Sequence, residues 1–180
     1  MTIITTPVDR DSLIRLQAGD TVRINGDILV FRDQVHRLLN EMIARGEELP
    51  FSLRNEIVYY CGPTPARHGR PVGSAGPTTA SRMDKYTGPL LEKGVAMTIG
   101  KGDRSIEVVD LLKHHRAVYL VAIGGAGALI ARHIVATEII GFPDLGTEAA
   151  RRFTVKEMPA VVGIDSRGKS AFVDAAAALR

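Results

Sequence analysis

The sequence predicts an α/β domain. Three observations carry that prediction: apolar runs of strand length recur along the chain, amphipathic stretches of helical period alternate with them, and glycine- or proline-rich turns mark most of the junctions. With 180 residues, the chain has the size of one domain spanning 1–180 and is long enough to bury a single substantial core.

The elements follow in order. Around Leu13, Ile14, Leu16, Val22 and Ile24, polar and apolar residues alternate across a Gly19-Asp20 turn, so residues 1–25 are expected to form strand, turn and strand. Ile28-Leu29-Val30 reads as a strand. Val35, Leu38, Leu39, Met42 and Ile43 have the three- and four-residue spacing of a helix ending near Gly46, with Asp33 as its candidate cap. Glu56 to Tyr60 is β-rich and enters a stretch from Cys61 to Thr79 with four Pro and four Gly, the kind of long irregular segment that is usually functional.

A helix is expected from Ser81 to Glu92, interrupted or restarted at Gly88-Pro89, and then a strand from Val95 to Ile99. Ile106 to His114 reads as a helix, Ala117 to Ile123 as a strand, and Ala128 to Val135 as a second, small-residue helix. Phe153 to Val155 and Ala160 to Ile164 give two further strand signals, followed by an Asp165-Ser166-Arg167-Gly168 turn and a short Ala-rich tail.

Composition narrows the function. At 45% hydrophobic and 24% charged residues, wholesale disorder and fibrous architectures are excluded. Lys and Arg number 23 against 20 Asp and Glu, and the pI is about 9.2. The positive charges are dispersed, which fits a small anionic ligand better than the clustered basic face of a nucleic-acid binder. No stretch approaches the roughly 18 apolar residues of a membrane span, and Met1 to Pro7 lacks a basic segment leading into an apolar one. A cytoplasmic location is expected. The single cysteine, Cys61, cannot by itself hold an iron–sulfur cluster or a structural zinc, and its plainer reading is a small buried residue.

Several positions are suited to anion chemistry. Ser74, Thr78, Thr79 and Ser81 offer hydroxyls among small residues that let a ligand approach the backbone. Arg82 follows Thr78 by four residues, so in a first helical turn the two would converge on a carboxylate; the alternative is a capping Thr and a solvated Arg. Lys101, between Gly100 and Gly102 at a strand end, can serve as a point charge for a carboxylate or phosphate. Arg32, between a strand and a helix, is a third cation; its alternative is a surface pair with Asp33.

Two nucleotide motifs fail. Five residues, not four, separate Gly94 from Gly100, and Gly102 follows the lysine where a P-loop has Ser or Thr. In Gly124-Gly125-Ala126-Gly127, Ile130 stands where a dinucleotide fingerprint has Gly or Ala, so a tight strand–helix turn is the simpler reading. His36, His68, His114, His115 and His133 show no metal spacing.

Taken together, five ordered blocks resemble one family. They are Gly26 to Asp33 with His36, Tyr59 to Pro65, Gly73 to Thr79 with Arg82-Met83-Asp84, Ile99 to Gly102, and Ala122 to Ala126. They resemble the C-terminal domain of class I fumarases and the separate β subunits of two-part fumarases and L-tartrate dehydratases. The resemblance implies a swivelling β/β/α domain and reversible hydration of a dicarboxylate, fumarate and water to L-malate, at a [4Fe–4S] cluster bound by another subunit whose open iron polarises the substrate hydroxyl. It carries Arg32, Arg82 and Lys101 to positions that bind substrate carboxylates, and Thr78 to the threonine near proton abstraction. It also implies a cysteine-bearing α subunit as partner, an α2β2 heterotetramer, and no activity for this chain alone.

Three alternatives stay open. An L-tartrate dehydratase β subunit would use the same carboxylate clamp, a non-catalytic carboxylate-binding assembly module would keep the pocket without turnover, and a dinucleotide-binding oxidoreductase would bind nicotinamide. Arg67 and Arg70 lie in the Gly/Pro loop as possible further site cations, with surface arginines the commoner explanation.

Overall fold

Strands buried on both faces give continuous apolar runs instead of alternation, and the central strands here do so. In β3 (Ile57–Tyr59), Ile57 and Tyr59 face one apolar cluster while Val58 and the following Tyr60 face another. The computed structural model describes residues 2–66, 69–123 and 125–172. Arg67, His68, Gly124 and the Ala-rich tail lie outside them.

The strands form one mixed sheet of seven in the order β1-β2-β3-β4-β5-β7-β6. β1 (Thr2–Thr5), β2 (Thr21–Val30), β3, β4 (Met97–Gly100) and β5 (Val118–Val121) pair in parallel. β7 (Ala150–Ile164) runs antiparallel to β2, β5 and β6 (Ile134–Gly141). Because β7 bridges β5 back to β2, the sheet curls into a partly closed barrel. The inner cluster includes Ile24, Ile28, Val30, Tyr59, Ile99, Leu120 and Phe153. The outer face is covered by α2 (Asp33–Ala44), α3 (Asp84–Glu92) and α4 (Ile106–His115), whose Val35, Leu39, Leu90, Leu91, Val108 and Leu112 are buried. Among the described residues, no helix is long and apolar enough to cross a membrane.

The register aligns the strand ends. Val30, Tyr59, Ile99 and Leu120 form one row across β2, β3, β4 and β5. The chain therefore leaves four parallel strands along one rim, where open α/β sheets place their ligands.

Several expectations need correction. Residues near 13 are not a strand: α1 (Arg10–Leu13) is capped by Asp9, and Leu13 and Leu16 are buried at helical spacing while Ile14 is exposed. Asp33 does not cap α2; Arg32 holds the cap position, its side chain making no capping bond to the helix, and Asp33 is the first helical residue. Gly88-Pro89 does not interrupt α3. The carbonyl that Pro89 deprives of a donor belongs to the exposed Lys85, where water can replace the bond.

The expected small-residue helix stops early, as α5 (Gly127–Ala131), and the chain then forms β6, an edge strand with Val135 and Ile139 exposed. The two C-terminal strand signals belong to one fifteen-residue strand. Its polar middle is a bulge: Glu157 is left-handed at φ 54°, and its side chain and backbone N–H both bond the Asn25 side chain. The Asp165–Gly168 turn forms as expected, with the Gly168 N–H on the Asp165 carbonyl at 3.0 Å.

Candidate functional site

The rim is assembled mainly by backbone hydrogen bonds. After β3, the chain runs out and back as an irregular hairpin: the Thr64 N–H bonds the Ser74 carbonyl at 3.0 Å, the Gly73 N–H bonds the Thr64 carbonyl at 3.1 Å, and Cys61 bridges Pro77. The Tyr59 hydroxyl donates to the Ala75 carbonyl at 2.6 Å, fixing the return. This return delivers Thr78 between the ends of β3 and β4. Its N–H donates to the Tyr60 carbonyl at 2.7 Å, and its carbonyl accepts from the Lys101 N–H at 3.1 Å. The Ala80 N–H then bonds the Lys101 carbonyl at 2.9 Å.

Four glycines of this region have conformational or packing reasons of their own. A Cβ on Gly100 would lie 2.9 Å from both the Ala80 Cβ and Tyr60 Cδ2, so only glycine lets the Thr78 segment close against β4. Gly102 is left-handed at φ 78°. At Gly127, a Cβ would lie 2.5 Å from the Ser74 Oγ, so this glycine lets α5 pack on the hairpin, and Gly125 turns at φ 78°.

Thr78 precedes the helical segment, since a 3₁₀ turn starts at Ala80 (Ala80–Met83). The four-residue helical convergence of Thr78 and Arg82 therefore does not apply, and Thr79, at the cap position, makes no side-chain cap bond. Thr78 is nonetheless joined to Lys101 through the backbone.

The two arginines have partners that differ from expectation. Arg32 does not pair with Asp33. Its Nε donates to the Glu148 Oε1 at 2.7 Å, and its Nη2 lies 2.7 Å from the same oxygen. Asp33 pairs with Arg82 instead: Arg82 Nε donates to Oδ1 at 3.1 Å, and Nη2 lies 2.9 Å from Oδ2 in an ion contact without hydrogen-bond geometry. Arg32 and Arg82 are thus linked through Asp33, and Lys101 through the Thr78–Ala80 segment. The exposed Lys101 ammonium makes no ion pair among the described residues.

Behind this rim sits Arg104, which the sequence reading did not single out. Its side chain is fully buried, donates from Nε to Asp84 Oδ1 at 2.6 Å and from Nη2 to the Thr87 hydroxyl at 2.7 Å, and lies between the Tyr60 and Tyr119 rings. Burial alone would favour its neutral form, but Tyr60 and Asp84 outweigh that and hold the proton more firmly than usual. The other Asp84 oxygen accepts the Ser105 N–H at 2.8 Å, so the start of α3 is tied to the β4–α4 connection. No pattern marks a buried arginine in sequence.

His36 was also given no role. It is fully buried against Phe31, Tyr60 and Tyr86. Its Nδ1 is 2.9 Å from the Arg32 carbonyl, and because a carbonyl only accepts, the proton is on Nδ1. Nε2 is buried with no partner among the described residues. Burial lowers the imidazole to about 4, despite the backbone bond that favours the charged form.

Cys61 is buried, and its thiol is pushed up to about 12 by burial, only partly offset by the Arg32 charge. Burial thus favours its protonated form. No group of three His, Cys, Asp or Glu placed to hold a metal occurs among the described residues. Arg70 is exposed and stands in none of the contacts above. At the opposite end of the sheet, a cavity of about 540 Å³ is lined by Arg10, Lys113, His115, Arg116 and Arg167. Its Arg10 donors are already occupied by Asn55 and by the carbonyls of Gly94, Val95 and His115.

The chain is similar to known proteins over most of its length. It is 37% identical over 170 residues to fumarate hydratase 2 of Leishmania major, covering 92% of this chain and 30% of that protein. It is 40% identical over 151 residues to the aerobic class I fumarate hydratase of Escherichia coli, covering 83% of this chain and 28% of that enzyme. The chain thus spans less than a third of the length of these relatives. Against a Methanocaldococcus jannaschii protein bearing the name L(+)-tartrate dehydratase subunit beta, it is 33% identical over 164 residues, 88% of this chain and 84% of that one. The family model described as Fumarase C-terminus matches residues 2–175, and the chain belongs to that family.

Proposed function

We propose that this chain is the β subunit of a hydro-lyase and supplies the substrate-carboxylate anchors of a site shared with a partner polypeptide. The observation that carries the reading is the convergence on one sheet rim of Arg32, Thr78, Arg82 and Lys101, linked through Asp33 and the Thr78–Ala80 backbone. Arg32, Arg82 and Lys101 hold the two carboxylates of a dicarboxylate. That positioning fixes the reacting carbons before water is added or removed. Thr78 orients or relays the proton. A free threonine hydroxyl is a poor base at neutral pH and needs a nearby cation or a partner group to act.

Fumarate, hydrated to L-malate, is the proposed substrate, because the longer relatives are named fumarate hydratases. L-tartrate is the second reading, favoured by the subunit-sized relative that the chain nearly spans. The seven-stranded sheet corresponds, on this proposal, to the swivelling domain of the family. On this proposal a [4Fe–4S] cluster belongs to the partner, because a lone cysteine, Cys61, is too few ligands to hold one. An α2β2 assembly in the cytoplasm completes the proposal.

The test is anaerobic co-expression with a cysteine-bearing candidate partner, then assays on fumarate, malate and tartrate. Turnover by the pair only, with kcat/KM reduced about 100-fold in Arg82→Ala and Lys101→Ala, is the expected result. If a loaded complex turns over none of the three, the non-catalytic binding module takes its place; if the variants keep full activity, Arg82 and Lys101 are not the anchors.

A further inference from the structure

Arg32 is gripped on three sides. One face of its guanidinium lies against Gly62, where a Cβ would be 3.1 Å from Nε and 3.4 Å from Cζ. Gly62 is not among the left-handed glycines, so a side chain there would meet no backbone strain but would press on the guanidinium and require it to shift by a few tenths of an ångström. The carbonyl of Arg32 is held by the His36 Nδ1–H at 2.9 Å. The third grip comes from Glu148, 116 residues away in sequence, at the end of a 3₁₀ segment (Pro143–Glu148) between β6 and β7. That segment is anchored: Phe142 and Leu145 pack on the outer core, and Ala149 and Ala150 just after it are buried.

Which edge of the guanidinium is taken matters. Glu148 contacts Nε and Nη2, the side edge, and Arg32 Nη1 makes no hydrogen bond among the described residues. Arginine presents five donors in a fixed plane, so a carboxylate on the side edge leaves the Nη1–Nη2 end for a second, bidentate carboxylate. Asp33 contacts Arg82 through the same two nitrogens, Nε and Nη2. With 32% of the Arg32 side chain and 26% of the Glu148 side chain exposed, the pair is partly screened by water, and a stabilising role by itself does not explain why the carboxylate takes the side edge and leaves the other end of the guanidinium open.

We propose that Glu148 is a positioning residue that holds the side edge of Arg32 so that its Nη1–Nη2 end faces a carboxylate of the substrate. This rests on the functional reading above. Glu148 touches neither substrate nor reacting atoms; it acts through Arg32. An anchor remote from the reacting bond contributes to substrate and transition state alike, so its loss raises KM more than it lowers kcat.

The experiment compares wild type, Glu148→Gln, Arg32→Lys and the double variant, each in the complex with the cluster-bearing partner. Exchange of the Arg32 Nε–H is read in parallel by NMR on the chain alone, labelled at arginine. Glu148→Gln is expected to raise KM for malate or fumarate about tenfold with kcat changed less than about threefold. It should add nothing to Arg32→Lys, which has no side edge to hold. The Nε–H should exchange slowly in wild type and quickly in Glu148→Gln, and Glu148→Asp should restore part of the KM. An unchanged KM in Glu148→Gln overturns the inference. A lowered KM overturns it too, since Glu148 would then be a competitor that substrate displaces. Absence of turnover by the wild-type complex overturns the functional reading instead, and the two failures are separable because Nε–H exchange does not depend on turnover.

Discussion

Acidification should unlock this fold at one histidine before it protonates most carboxylates. His36 is fully buried, donates Nδ1–H to the Arg32 carbonyl, and leaves Nε2 without a partner among the described residues. A second proton would have to sit on Nε2 among aromatic rings with nothing to accept it, and burial accordingly lowers the group from 6.5 to about 4. The sign follows: between these values the unfolded chain binds a proton that the folded chain refuses, so stability is fully present above about 6.5 and falls as pH drops toward 4. At 1.36 kcal/mol per pH unit, the loss across the window is about 3 kcal/mol, a large part of the 5–15 kcal/mol of a typical domain.

Other groups titrate as well, so the comparison is with His36→Phe, which keeps a ring against Phe31, Tyr60 and Tyr86 but cannot bind a proton. Near pH 7.5 the variant should be less stable by about 1 kcal/mol, for the lost bond to Arg32. Near pH 4.5 it should be the more stable of the two. Urea unfolding of both proteins between pH 4 and 7.5 measures this, with midpoints crossing by roughly 1 M. If the difference between the two proteins stays constant over that range, His36 does not titrate low in the folded state and the reasoning from its burial is wrong.

Two further perturbations test the frame of the rim. Gly100→Ala forces a methyl to 2.9 Å from the Ala80 Cβ and Tyr60 Cδ2; it should cost about 1–3 kcal/mol in urea unfolding and lower kcat of the reconstituted pair by displacing Thr78 from β4. Wild-type stability and activity would show that the segment has room. Arg104→Met leaves Asp84 with only the Ser105 N–H in a largely buried site, so a loss of about 3–5 kcal/mol is expected, and a loss under about 1 kcal/mol would mean that Arg104 does not organise the rim.

What the sequence revealed, and what it hid, follows from range. β3 and β4 were legible because strands buried on both faces are apolar runs, and α2 because Val35 and Leu39 recur at helical spacing. The candidate residues were legible as cations and hydroxyls just beyond strand ends. β6 was missed: the helix expected over Ala128 to Val135 overran its first two residues, and its strand identity depends on pairing with β7. β7 looked like two strands because its bulge at Glu157 puts a polar break in the pattern. Glu148 and Arg104 were invisible for a different reason. The first meets Arg32 only through the return of β7 to β2, and the second is a charged residue whose burial depends on Asp84, Thr87 and two tyrosines from separate elements.

The distribution of charge on the rim bears on why such a site would be shared between two chains. Arg82 is more than half exposed and Lys101 is exposed, so both are surrounded by water in the isolated chain. There, a charge pair at 4 Å is worth about 1 kcal/mol, against about 4 kcal/mol where a protein surface lowers the effective dielectric to about 20. Anchors in this state hold a dicarboxylate weakly and are screened by salt. Covering the rim with a partner strengthens every anchor at once with little rearrangement, because the Thr78 and Lys101 backbones are already fixed by the Tyr60–Thr78–Lys101 hydrogen bonds and the Arg32 and Arg82 side chains by Glu148 and Asp33. The frame built by this chain therefore supplies position, and desolvation by the proposed partner supplies strength. Dicarboxylate affinity measured on the chain alone should accordingly be weak and salt-sensitive, and on the complex stronger and far less so; equal affinity and equal salt dependence in both would mean that the rim is already complete in a single chain.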